Sequence, residues 1–460
     1  MQESSAAIPR RPFAESARLD IDALESAFRN RTARIGVVGL GYVGLPLVRA
    51  IAEAGFSVLG FDIDPAKADL LNAGKSYLRQ VSAAAIASLR EAGRLSATCD
   101  FSRIAEVDAV ILCVPTPLTR QREPDLSFVE STAATIAPRL RRGQLVVLES
   151  TTYPGTTREV MGPILERSGL RSGQDFFLAY SPEREDPGNP RFATADIPKV
   201  VGGDGPEALR LALALYGAVV ARTVAVSSLE VAEAVKLTEN IFRSVNIGLA
   251  NELKIVFEAM SIDIWEVIEA AKSKPFGYMP FYPGPGLGGH CIPIDPFYLT
   301  WKAREFDITT RFIELAGEIN VAMPRRVVEK AMQALNERAG RSLKGAQVLI
   351  MGLAYKRDVE DVRESPAFKI IELLESRGAA VSFYDPFVPE IPQTREHPGL
   401  AGRRSIPWTA AAITRFDMAI ISTDHTGVDY DLLVEACPLV IDTRNVCARH
   451  GIVSERVVKA

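Results

Sequence analysis

Residues 34–62 decide the fold, and they run RIGVVGLGYVGLPLVRAIAEAGFSVLGFD. An apolar strand leads into a glycine turn, a helix that ends at Gly55, and a second strand that ends at Asp62. This order predicts a strand–helix–strand unit. Further apolar strands at 108–114 and 145–151 continue the alternation, which is typical of an α/β fold with a parallel sheet.

The glycine turn has the spacing of a dinucleotide-binding site. Gly39 permits the tight turn, Gly41 lets backbone amides approach a pyrophosphate, and Gly44 allows close packing of the helix on the sheet. Tyr42 and Val43 complete the turn, so all five residues are expected to contact a cofactor.

Asp62, at the end of the second strand, is predicted to accept hydrogen bonds from the ribose diol of that cofactor. A carboxylate here repels the 2′-phosphate of NADP, and no arginine follows immediately. NAD is therefore the expected cofactor. Asp64, followed by Pro65, is predicted to cap the next helix.

Four segments divide the chain. Residues 1–30 are polar and are treated as an N-terminal extension, and 31–225 form the predicted dinucleotide-binding domain. Residues 226–335 are helical and include a glycine-rich loop, whereas 336–460 repeat the strand–helix alternation. The predicted fold class is α/β, with two doubly wound Rossmann-like domains joined by a long central helix.

The central helix is predicted over 228–260, which contain no proline and one glycine. At 1.5 Å per residue it spans roughly 45 Å, longer than a domain-internal helix usually needs. It is therefore a candidate seam for a homodimer or higher homo-oligomer. A Pro/Gly-rich loop follows at 275–296, and loops of this length are usually functional.

Composition excludes several classes of partner. The 460 residues suggest about three domains, and 53 Lys+Arg against 57 Asp+Glu give a net charge of −4, so nucleic acid is not an expected partner. No apolar run approaches the roughly 18 residues of a membrane helix, and no signal peptide is apparent, which predicts a cytoplasmic protein without membrane contact. The five cysteines and four histidines show no metal-ligand spacing, so no metal is expected.

Cys291 lies in GLGGHCIPID (286–295), where the glycines bring the backbone close to a neighbour and expose the thiol. Such a thiol needs a nearby cation or base to act as a nucleophile. The adjacent His290 is not expected to be that base, because neighbouring side chains usually point apart. The other four cysteines, at 99, 113, 437 and 447, lie on or beside apolar strands and are predicted to be core residues.

Lys236 and Asn240 lie four residues apart and share one face of the long helix. They form either a solvated helix edge or an ammonium and an amide directed at one oxygen, where a preorganised donor contributes roughly 3 kcal/mol to stabilising negative charge. Asp295, followed by Pro296, is predicted to be an N-cap, a role that does not exclude catalysis.

Polar residues also follow two of the predicted strands. Thr151 and Thr152 come after the apolar LVVLES, and Glu183 comes after FFLAY. Open α/β sheets bind ligands at the carboxyl ends of their strands, so these side chains are candidate site residues.

The motifs extend over nearly the whole chain. They are GLGYVGLP (39–46), GFDID (60–64), CVPTP (113–117), ESTTYPGTT (149–157), SPERED (181–186), EAVKLTEN (233–240), GPGLGGHCIPIDP (284–296), GLAYKRDVEDVRESP (352–366), FYDP (383–386) and DTRN (442–445). In this order they resemble the UDP-glucose/GDP-mannose dehydrogenase family from about residue 34 to 447. The wording of three motifs is most similar to the bacterial members that oxidise UDP-N-acetylglucosamine.

The resemblance implies an NAD-dependent, four-electron oxidation of the carbon-6 alcohol of a UDP-sugar to a uronate, for polysaccharide precursor synthesis. Cys291 would add to the aldehyde, and the thiohemiacetal would be oxidised to a thioester that water hydrolyses. A thiol suits this chemistry because covalent capture retains the aldehyde and divides the oxidation into steps.

The resemblance also implies residue roles. Lys236 and Asn240 would stabilise the oxyanion, Asp295 would orient or deprotonate water, and Thr151 and Glu183 would assist proton transfer and hydrolysis. The residues expected to bind substrate are Arg184, Lys236, Asn240, Gly288, Lys356 and Arg444, and Thr116 joins the glycine turn, Asp62 and Thr151 as a cofactor contact.

Two departures bear on the substrate. UDP-glucose dehydrogenases commonly carry Lys before the catalytic Asp, whereas this chain has Ile294, which disfavours UDP-glucose. An arginine that some members supply from a partner subunit has no clear counterpart in 271–284. UDP-N-acetylmannosamine and UDP-N-acetylgalactosamine stay open as alternatives, with UDP-glucose.

Three other functions compete with this one. A two-electron β-hydroxyacid dehydrogenase also combines a glycine turn with Lys and Asn on a long helix, but it needs neither a cysteine nor a second α/β domain. Tyr298 and Lys302 match the YxxxK spacing of short-chain dehydrogenase-type epimerases. A redox-sensing dinucleotide-binding module is the non-enzymatic alternative.

Overall fold

The computed structural model describes residues 19–119, 121–185, 194–289, 292–394 and 396–460. Two sheets form the framework, one in each of the predicted α/β domains. The strands of the first sheet are β1 (Arg34–Val38), β2 (Ser57–Phe61), β3 (Leu95–Thr98), β4 (Ala109–Leu112), β5 (Leu145–Leu148), β6 (Phe177–Tyr180), β7 (Lys199–Gly203) and β8 (Thr223–Ala225). Those of the second are β9 (Gln347–Met351), β10 (Ala380–Tyr384), β11 (Met418–Ile421), β12 (Val440–Asp442) and β13 (Val457–Lys459).

Helices cover the faces of both sheets and connect them. The α-helices are α1 (Ile21–Arg29), α2 (Gly44–Glu53), α3 (Pro65–Asn72), α4 (Ala83–Glu91), α5 (Ser127–Ile136), α6 (Gly162–Leu165), α7 (Pro206–Gly217), α8 (Leu229–Ala259), α9 (Ile264–Lys272), α10 (Asp295–Ala303), α11 (Arg311–Ala339), α12 (Pro366–Glu375), α13 (Ala410–Ile413), α14 (Tyr430–Ala436) and α15 (Val446–Arg449). A π-helical segment, Thr156–Met161, leads into α6, and short 3-10 segments lie at Phe101–Glu106, Ala137–Arg139, Glu166–Ser168, Thr194–Asp196, Arg304–Phe306 and Pro398–Leu400.

The first sheet has the order β3-β2-β1-β4-β5-β6-β7-β8. All of its pairings are parallel except that between β6 and β7. Strands β2 and β3 extend the sheet on one side of β1, and β4 extends it on the other side. The strand order therefore reverses between β3 and β4. This crossover places the carboxyl ends of β1 and β4 beside the glycine turn, where doubly wound sheets bind ligands.

The second sheet has the order β10-β9-β11-β12-β13 and is parallel throughout. These five strands and the helices between them give the strand–helix alternation predicted for 336–460. Buried side chains from both faces of each sheet form separate cores. The predicted fold class, with two Rossmann-like domains, is confirmed.

Residues 21–29 of the predicted N-terminal extension are part of the folded domain. They form α1, whose Phe28 is buried in the core of the first domain. Glu25 and Asp22 of this helix pair with Arg210 of α7. The folded unit therefore begins before residue 31, and residues 1–18 lie outside the described ranges.

Two long helices, rather than one, connect the domains. α8 confirms the helix predicted over 228–260, and α11 runs for 29 residues through an internal Pro324 and packs along α8. Ser228 caps α8 by accepting a hydrogen bond from the amide of Val231 at 3.3 Å. α8 carries candidate site residues, and α11 leads directly into β9 of the second domain.

Candidate active site

The glycine turn between β1 and α2 has the geometry that its spacing predicts. Gly39 has a φ of 91°, and a Cβ there would lie 2.6 Å from the carbonyl oxygen of Cys113. A Cβ on Gly44 would lie 1.8 Å from the carbonyl oxygen of Gly39, so only glycine lets α2 start this close to the turn. A Cβ on Gly41 would meet nothing within 4 Å, so this position borders open space beside the N-terminus of α2. These features fit a dinucleotide pyrophosphate.

Asp62 fastens this turn to the end of β2. Its carboxylate accepts hydrogen bonds from the backbone N–H of Leu40 at 2.8 Å and of Asp64 at 3.0 Å. Lys67 Nζ also donates to it, at 3.1 Å. Three donors leave a carboxylate with acceptor capacity for a ribose hydroxyl. Asp64 caps α3 through the amide of Ala66, as predicted.

Sequence reasoning missed two cations beside this turn. Lys67 lies five residues after Asp62 in the first turn of α3, a spacing that could have indicated the contact. Arg363 comes from the second domain, and its guanidinium lies 4.6 Å from the centre of the Tyr42 ring. No local signal connects Arg363 with Tyr42, because the contact spans two domains. Val43 directly precedes α2.

Thr116 anchors the segment after β4 to α10. It is buried, and its carbonyl oxygen accepts a hydrogen bond from the Tyr298 hydroxyl at 2.6 Å. Lys302 Nζ donates to Glu159 at 3.0 Å and to Glu305 at 2.7 Å. Tyr298 and Lys302 are thus occupied by separate structural contacts, which removes the motivation for an epimerase site.

One face of α8 lines a buried polar cluster. Lys236 and Asn240 are both buried, which excludes the solvated helix edge. Asn240 Nδ2 donates to Asp295 Oδ2 at 2.5 Å, and Arg243 Nη2 donates to Asn240 Oδ1. Arg243 was not predicted, although it lies seven residues after Lys236, a helical spacing that places both on one face.

Asp295 faces this cluster instead of capping its helix. It is the first residue of α10, and the preceding Ile294 has no side-chain capping bond. The N-cap prediction was wrong, because the carboxylate turns toward the cations and the amide of α8. Burial raises the pKa of Asp295 to about 7, against the opposing charge of Lys236 and the hydrogen bond from Asn240.

Glu233, one turn before Lys236, ties α8 to the segment after β5. Its carboxylate accepts the N–H of Gly155 at 2.6 Å and the N–H and hydroxyl of Thr157 at 2.9 and 2.7 Å. Burial raises the pKa of Glu233 to about 7. No local pattern pointed to Glu233, because its partners Gly155 and Thr157 lie 78 and 76 residues away in the chain.

The predicted residues after β5 and β6 border the same region. Thr151 is half-buried directly after Ser150, whose hydroxyl donates to the Val114 carbonyl at 2.7 Å. Glu183 is half-buried and accepts the backbone N–H of Glu185.

Arg184 points toward α8. It forms an ion pair with Glu239, the residue before Asn240, at 2.6 Å, and it donates to the Pro198 carbonyl at 2.6 Å. The guanidinium is therefore held next to the polar face of α8, where a substrate anion could reach it.

The glycine-rich loop lies against the second domain. Cβ atoms on Gly288 and Gly289 would come within 2.7 and 2.9 Å of Tyr355, and Gly289 N–H donates to the Arg363 carbonyl at 3.0 Å. His290 and Cys291 lie outside the described residues. The close approach predicted from the glycines is confirmed for 288–289, and the neighbour is the loop 353–365 that follows β9.

Arg444 links this loop to the edge of the second sheet. A Cβ on Gly284 would lie 2.8 Å from Arg444 Nη1, and Arg444 Nε donates to the Ser422 carbonyl at 2.8 Å. Burial lowers the pKa of Arg444, although the charge of Asp424 raises it. Arg357 and Arg449 pair with Asp424, so three arginines share this edge with the carboxylates of Asp424 and Asp442, the second of which accepts the backbone N–H of Arg444.

Lys356 is half-buried on the same loop, between Tyr355 and Arg357. Together with the arginines it makes this edge cationic, which suits a diphosphate.

The cysteines outside the glycine loop differ in exposure. Cys437 and Cys447 are buried and Cys113 is half-buried, as expected of core residues. Cys99 is exposed, so its assignment to the core was wrong. It follows β3 directly, where the chain has already left the sheet.

The described part of the chain contains neither a candidate membrane span nor a candidate metal-binding cluster. No helix there is both long and apolar enough to cross a membrane. Within the same residues, no cluster of three or more His, Cys, Asp or Glu side chains could hold a metal ion.

The fold and the site together define a class of protein. One Rossmann-like domain presents a dinucleotide turn, the other a cationic sheet edge, and the polar face of α8 lies with the glycine-rich loop between them. This arrangement is that of an NAD-dependent dehydrogenase whose substrate carries a nucleotide diphosphate.

Comparison with known families identifies the class more closely. Residues 33–220 match the NAD binding domain of the UDP-glucose/GDP-mannose dehydrogenase family, 230–322 its central domain, and 349–449 its UDP binding domain. The chain belongs to this family, whose members are NAD-dependent nucleotide-sugar dehydrogenases acting on a CH–OH group.

Individual relatives agree with this assignment. The chain is 39% identical to a UDP-N-acetyl-D-glucosamine 6-dehydrogenase of Pseudomonas aeruginosa, over 77% of this chain and 83% of that one. It is 34% identical to a UDP-N-acetyl-D-mannosamine dehydrogenase of Pyrococcus horikoshii, over 90% and 96%. The solved structure of a UDP-D-ManNAc dehydrogenase from Pyrococcus horikoshii superposes with a TM-score of 0.82 at 32% identity, covering 92% of this chain and 97% of that one.

Proposed function

We propose that the protein oxidises carbon 6 of UDP-N-acetylglucosamine to the carboxylate, with two NAD+ reduced for each sugar. The observation that carries this proposal is the buried cluster of Lys236, Asn240 and Asp295, in which Asp295 follows Cys291 by four residues in the chain. An ammonium, an amide donor and a carboxylate at one place suit a reaction in which an oxyanion forms and water then attacks.

The first oxidation needs a hydride acceptor and a path for the alcohol proton. Bound NAD+ supplies the hydride acceptor. Lys236 and Asn240 direct donors at the developing oxygen charge, and Thr151 lies at the carboxyl end of β5 to assist the proton transfer. Asp62 and the turn 39–44 orient the dinucleotide.

Covalent capture prevents loss of the aldehyde. The Cys291 sulfur forms a bond to carbon 6, the thiohemiacetal loses a second hydride, and a thioester remains. Asp295 orients or deprotonates the attacking water, Glu183 assists, and cleavage of the carbon–sulfur bond releases the uronate and the thiol. A pKa near 7 lets Asp295 accept a proton at neutral pH.

The nucleotide end of the substrate is assigned to the second domain. Lys356 and Arg444 are the proposed diphosphate ligands, Arg184 contacts the substrate from the first domain, and Gly288 lets the substrate approach the loop backbone. We propose 31–225, together with the preceding α1, as the NAD-binding domain, 226–335 as the central domain and 336–460 as the UDP-binding domain.

N-acetylglucosamine is chosen among the possible sugars on two grounds. The relative from Pseudomonas aeruginosa named above carries this sugar in its name, and Ile294 occupies the position before Asp295. UDP-N-acetylmannosamine, UDP-N-acetylgalactosamine and UDP-glucose differ from it at one or two ring positions and are the alternatives.

Product stoichiometry tests the reaction. Purified protein is given each of the four UDP-sugars, with GDP-mannose as a control, and NADH is measured against the sugar consumed. We expect two NADH per sugar, with the highest kcat/KM for UDP-N-acetylglucosamine. A yield of one NADH would favour the two-electron β-hydroxyacid dehydrogenase, and no turnover with any sugar despite NAD binding would favour a sensing module.

Cys291→Ser tests the covalent route. The variant should bind NAD and UDP-sugar normally and lose formation of the acid, because a serine hydroxyl is a far weaker nucleophile at neutral pH. Uronate production at a normal rate would remove the cysteine from the mechanism. Cys99→Ser is the matched control, since it removes an exposed thiol outside the cluster.

We propose that a second copy of the chain covers α8. An apolar stripe on this helix is exposed to solvent at spacings of three, four and seven residues. Its members are Phe242, Leu249, Leu253, Val256 and Met260. Leu249→Glu should convert a dimer into monomers in light-scattering measurements, whereas the wild-type chain as a monomer at micromolar concentration would contradict the proposal.

A further inference from the structure

A buried ion pair in the NAD-binding domain takes no part in the steps described above. Lys199 Nζ donates to Glu149 Oε2 at 2.6 Å, and the Tyr216 hydroxyl donates to Glu149 Oε1 at 2.5 Å. Glu149 is fully buried, and Lys199 is 7% exposed. Because well-packed apolar residues often stabilise such a position better than an ion pair, folding alone does not account for these charges.

The strand register brings Lys199 to a candidate catalytic residue. β6 and β7 are antiparallel, with Tyr180 opposite Gly202. The paired residues end there; counted three residues onward in the same register, Glu183 corresponds to Lys199, and the charge of Glu183 acts on Lys199. Residues directly opposite in an antiparallel pair have their side chains on one face, with Cβ atoms about 5 Å apart.

Contacts on both sides of this position maintain the register. The Ser181 hydroxyl donates to the Val200 carbonyl at 2.7 Å, and Arg184 Nη1 donates to the Pro198 carbonyl at 2.6 Å. Glu183 is therefore held between two anchored neighbours, across from Lys199.

The charges around Lys199 keep it protonated. Burial lowers its pKa, but the carboxylates of Glu149 and Glu183 raise it, and the result lies above the usual value. The ionisable groups that face the pair are Cys113 directly after β4, Tyr216 from α7, and Glu183 and Glu185 from the segment after β6.

We propose that Lys199, held in place by Glu149 and Tyr216, is a positioning residue that orients the Glu183 carboxylate for hydrolysis of the thioester. The inference rests on the proposed function and deepens it. In the step concerned, a water oxygen bonds to carbon 6, the bond from carbon 6 to Cys291 Sγ breaks, and the water proton passes to a carboxylate. No electrons are exchanged.

Lys199→Met is the decisive variant. Both hydride transfers precede hydrolysis, so each active site should form two NADH in a rapid burst and then turn over about tenfold more slowly. This loss is smaller than the roughly hundredfold or more expected when a general acid or base is removed, because Lys199 acts only through Glu183. Intact-protein mass spectrometry should show a uronyl adduct on Cys291, in a larger fraction of the protein than in wild type. Glu183→Gln should give the same pattern.

A double variant separates positioning from stability. Glu149→Leu/Lys199→Met replaces the ion pair with apolar side chains, so thermal stability should recover toward that of wild type while hydrolysis stays slow. Arg142→Gln/Asp175→Asn is the matched control, because it removes a 2.9 Å ion pair at the opposite, amino end of β5. The control should turn over normally and accumulate no adduct.

The outcomes separate the two proposals. If Glu183→Gln accumulates the adduct but neither Lys199 variant does, the positioning role is wrong and the proposed reaction stands. If a well-folded double variant hydrolyses the thioester at the wild-type rate, the ion pair serves stability only. If wild-type protein forms no NADH with any UDP-sugar, the proposed function itself fails.

Discussion

The two Rossmann-like domains begin with the same backbone device. Gly39 after β1 and Gly352 after β9 have φ values of 91° and 83°. Each donates its N–H at 2.8 Å to the last residue of the neighbouring strand, Phe61 in one domain and Tyr384 in the other. The turns diverge directly after these glycines.

The difference lies in where the next helix starts and in what holds the aspartate. In the first domain α2 begins at Gly44, so its N-terminus faces the turn, and Asp62 pairs with a solvent-accessible lysine. In the second, α12 begins only at Pro366, and Asp385 is enclosed. A shared strand–turn–aspartate framework thus binds a dinucleotide in one domain, whereas in the other it supports a long loop that reaches the glycine-rich segment.

Asp385→Asn should have the largest effect, on stability. This carboxylate accepts four backbone N–H groups, and His425 Nε2 lies 3.0 Å from it in a fully buried site. An amide cannot accept from all these donors, so we expect a loss of about 3 kcal/mol. Thermal unfolding measures this loss of stability.

Asp62→Asn should instead keep most of the stability and weaken NAD binding about tenfold. Equal stability losses in both variants would contradict the contrast between the domains.

Gly44→Ala should reduce NAD affinity by about a hundredfold, or ~2.7 kcal/mol, because its Cβ would force α2 away from the turn. Isothermal titration calorimetry measures the affinity. Gly41→Ala is the control: its Cβ meets no protein atom, so the variant should fold like wild type and lose NAD affinity only through contact with the pyrophosphate. If Gly41→Ala binds NAD normally, the cofactor does not lie where the turn predicts.

Arg444→Met should raise the KM for the UDP-sugar roughly thirtyfold, equivalent to about 2 kcal/mol for a lost charge-assisted contact, with the Kd for NAD unchanged. Initial-rate kinetics against both substrates provide the test. A parallel loss of NAD affinity would show that the UDP-sugar site of the second domain and the NAD site of the first domain do not act separately.

Buried carboxyl groups next to α8 and a buried carboxylate in the second domain should contribute to stability with opposite dependence on pH. Glu233 and Asp295 have pKa values raised to about 7 by burial, so the folded state binds their protons more tightly than the unfolded chain. Their contribution is fully present below about pH 4 and is lost as pH rises toward 7, by about 1 kcal/mol or more per group. The pKa of Asp385 is raised by burial but lowered further by His425, so its contribution is lost only at acid pH.

Thermal unfolding between pH 5 and 8 tests this. Glu233→Gln should flatten the decline in Tm over that interval, whereas Glu230→Gln, at a half-buried neighbour on α8 that pairs with Arg158, should not. An unchanged dependence of Tm on pH in Glu233→Gln would mean that the Glu233 carboxyl does not titrate between pH 5 and 8.

Cys99→Ser should have the smallest effect, within about 0.5 kcal/mol in stability, because surface substitutions rarely exceed this value. Cys447→Ala, in the core of the second domain, should cost more than 1 kcal/mol. Calorimetry compares the two.

The features that were predicted from the sequence are those that depend on short-range patterns of residues. The glycine turn, Asp62, the capping role of Asp64 and the long α8 follow from spacing and periodicity within about 30 residues. The pairing of Lys236 and Asn240 on one face of α8 is of this kind. Asp295 failed as an N-cap because local preference was overridden by the amide of Asn240, 55 residues away in the chain, and by the charges of Lys236 and Arg243.

Long-range partners could not be predicted. Glu233 meets the segment after β5, Arg363 reaches the Tyr42 ring, and α1 docks on α7 only in the folded chain. These contacts depend on how elements pack, and a single sequence carries no local signature of packing.

The contact of Tyr355 with Gly288 and Gly289 has a consequence for protein engineering. The Cβ of Tyr355 occupies the space where a side chain at 288 would lie, and its ring occupies that at 289, so the two segments fit as one unit although they belong to different domains. A chimera that exchanges the second domain for that of a relative, to change its nucleotide preference, must therefore carry matching residues at 284–289. Without that match, the graft would displace the glycine-rich loop before it changed the binding of the nucleotide.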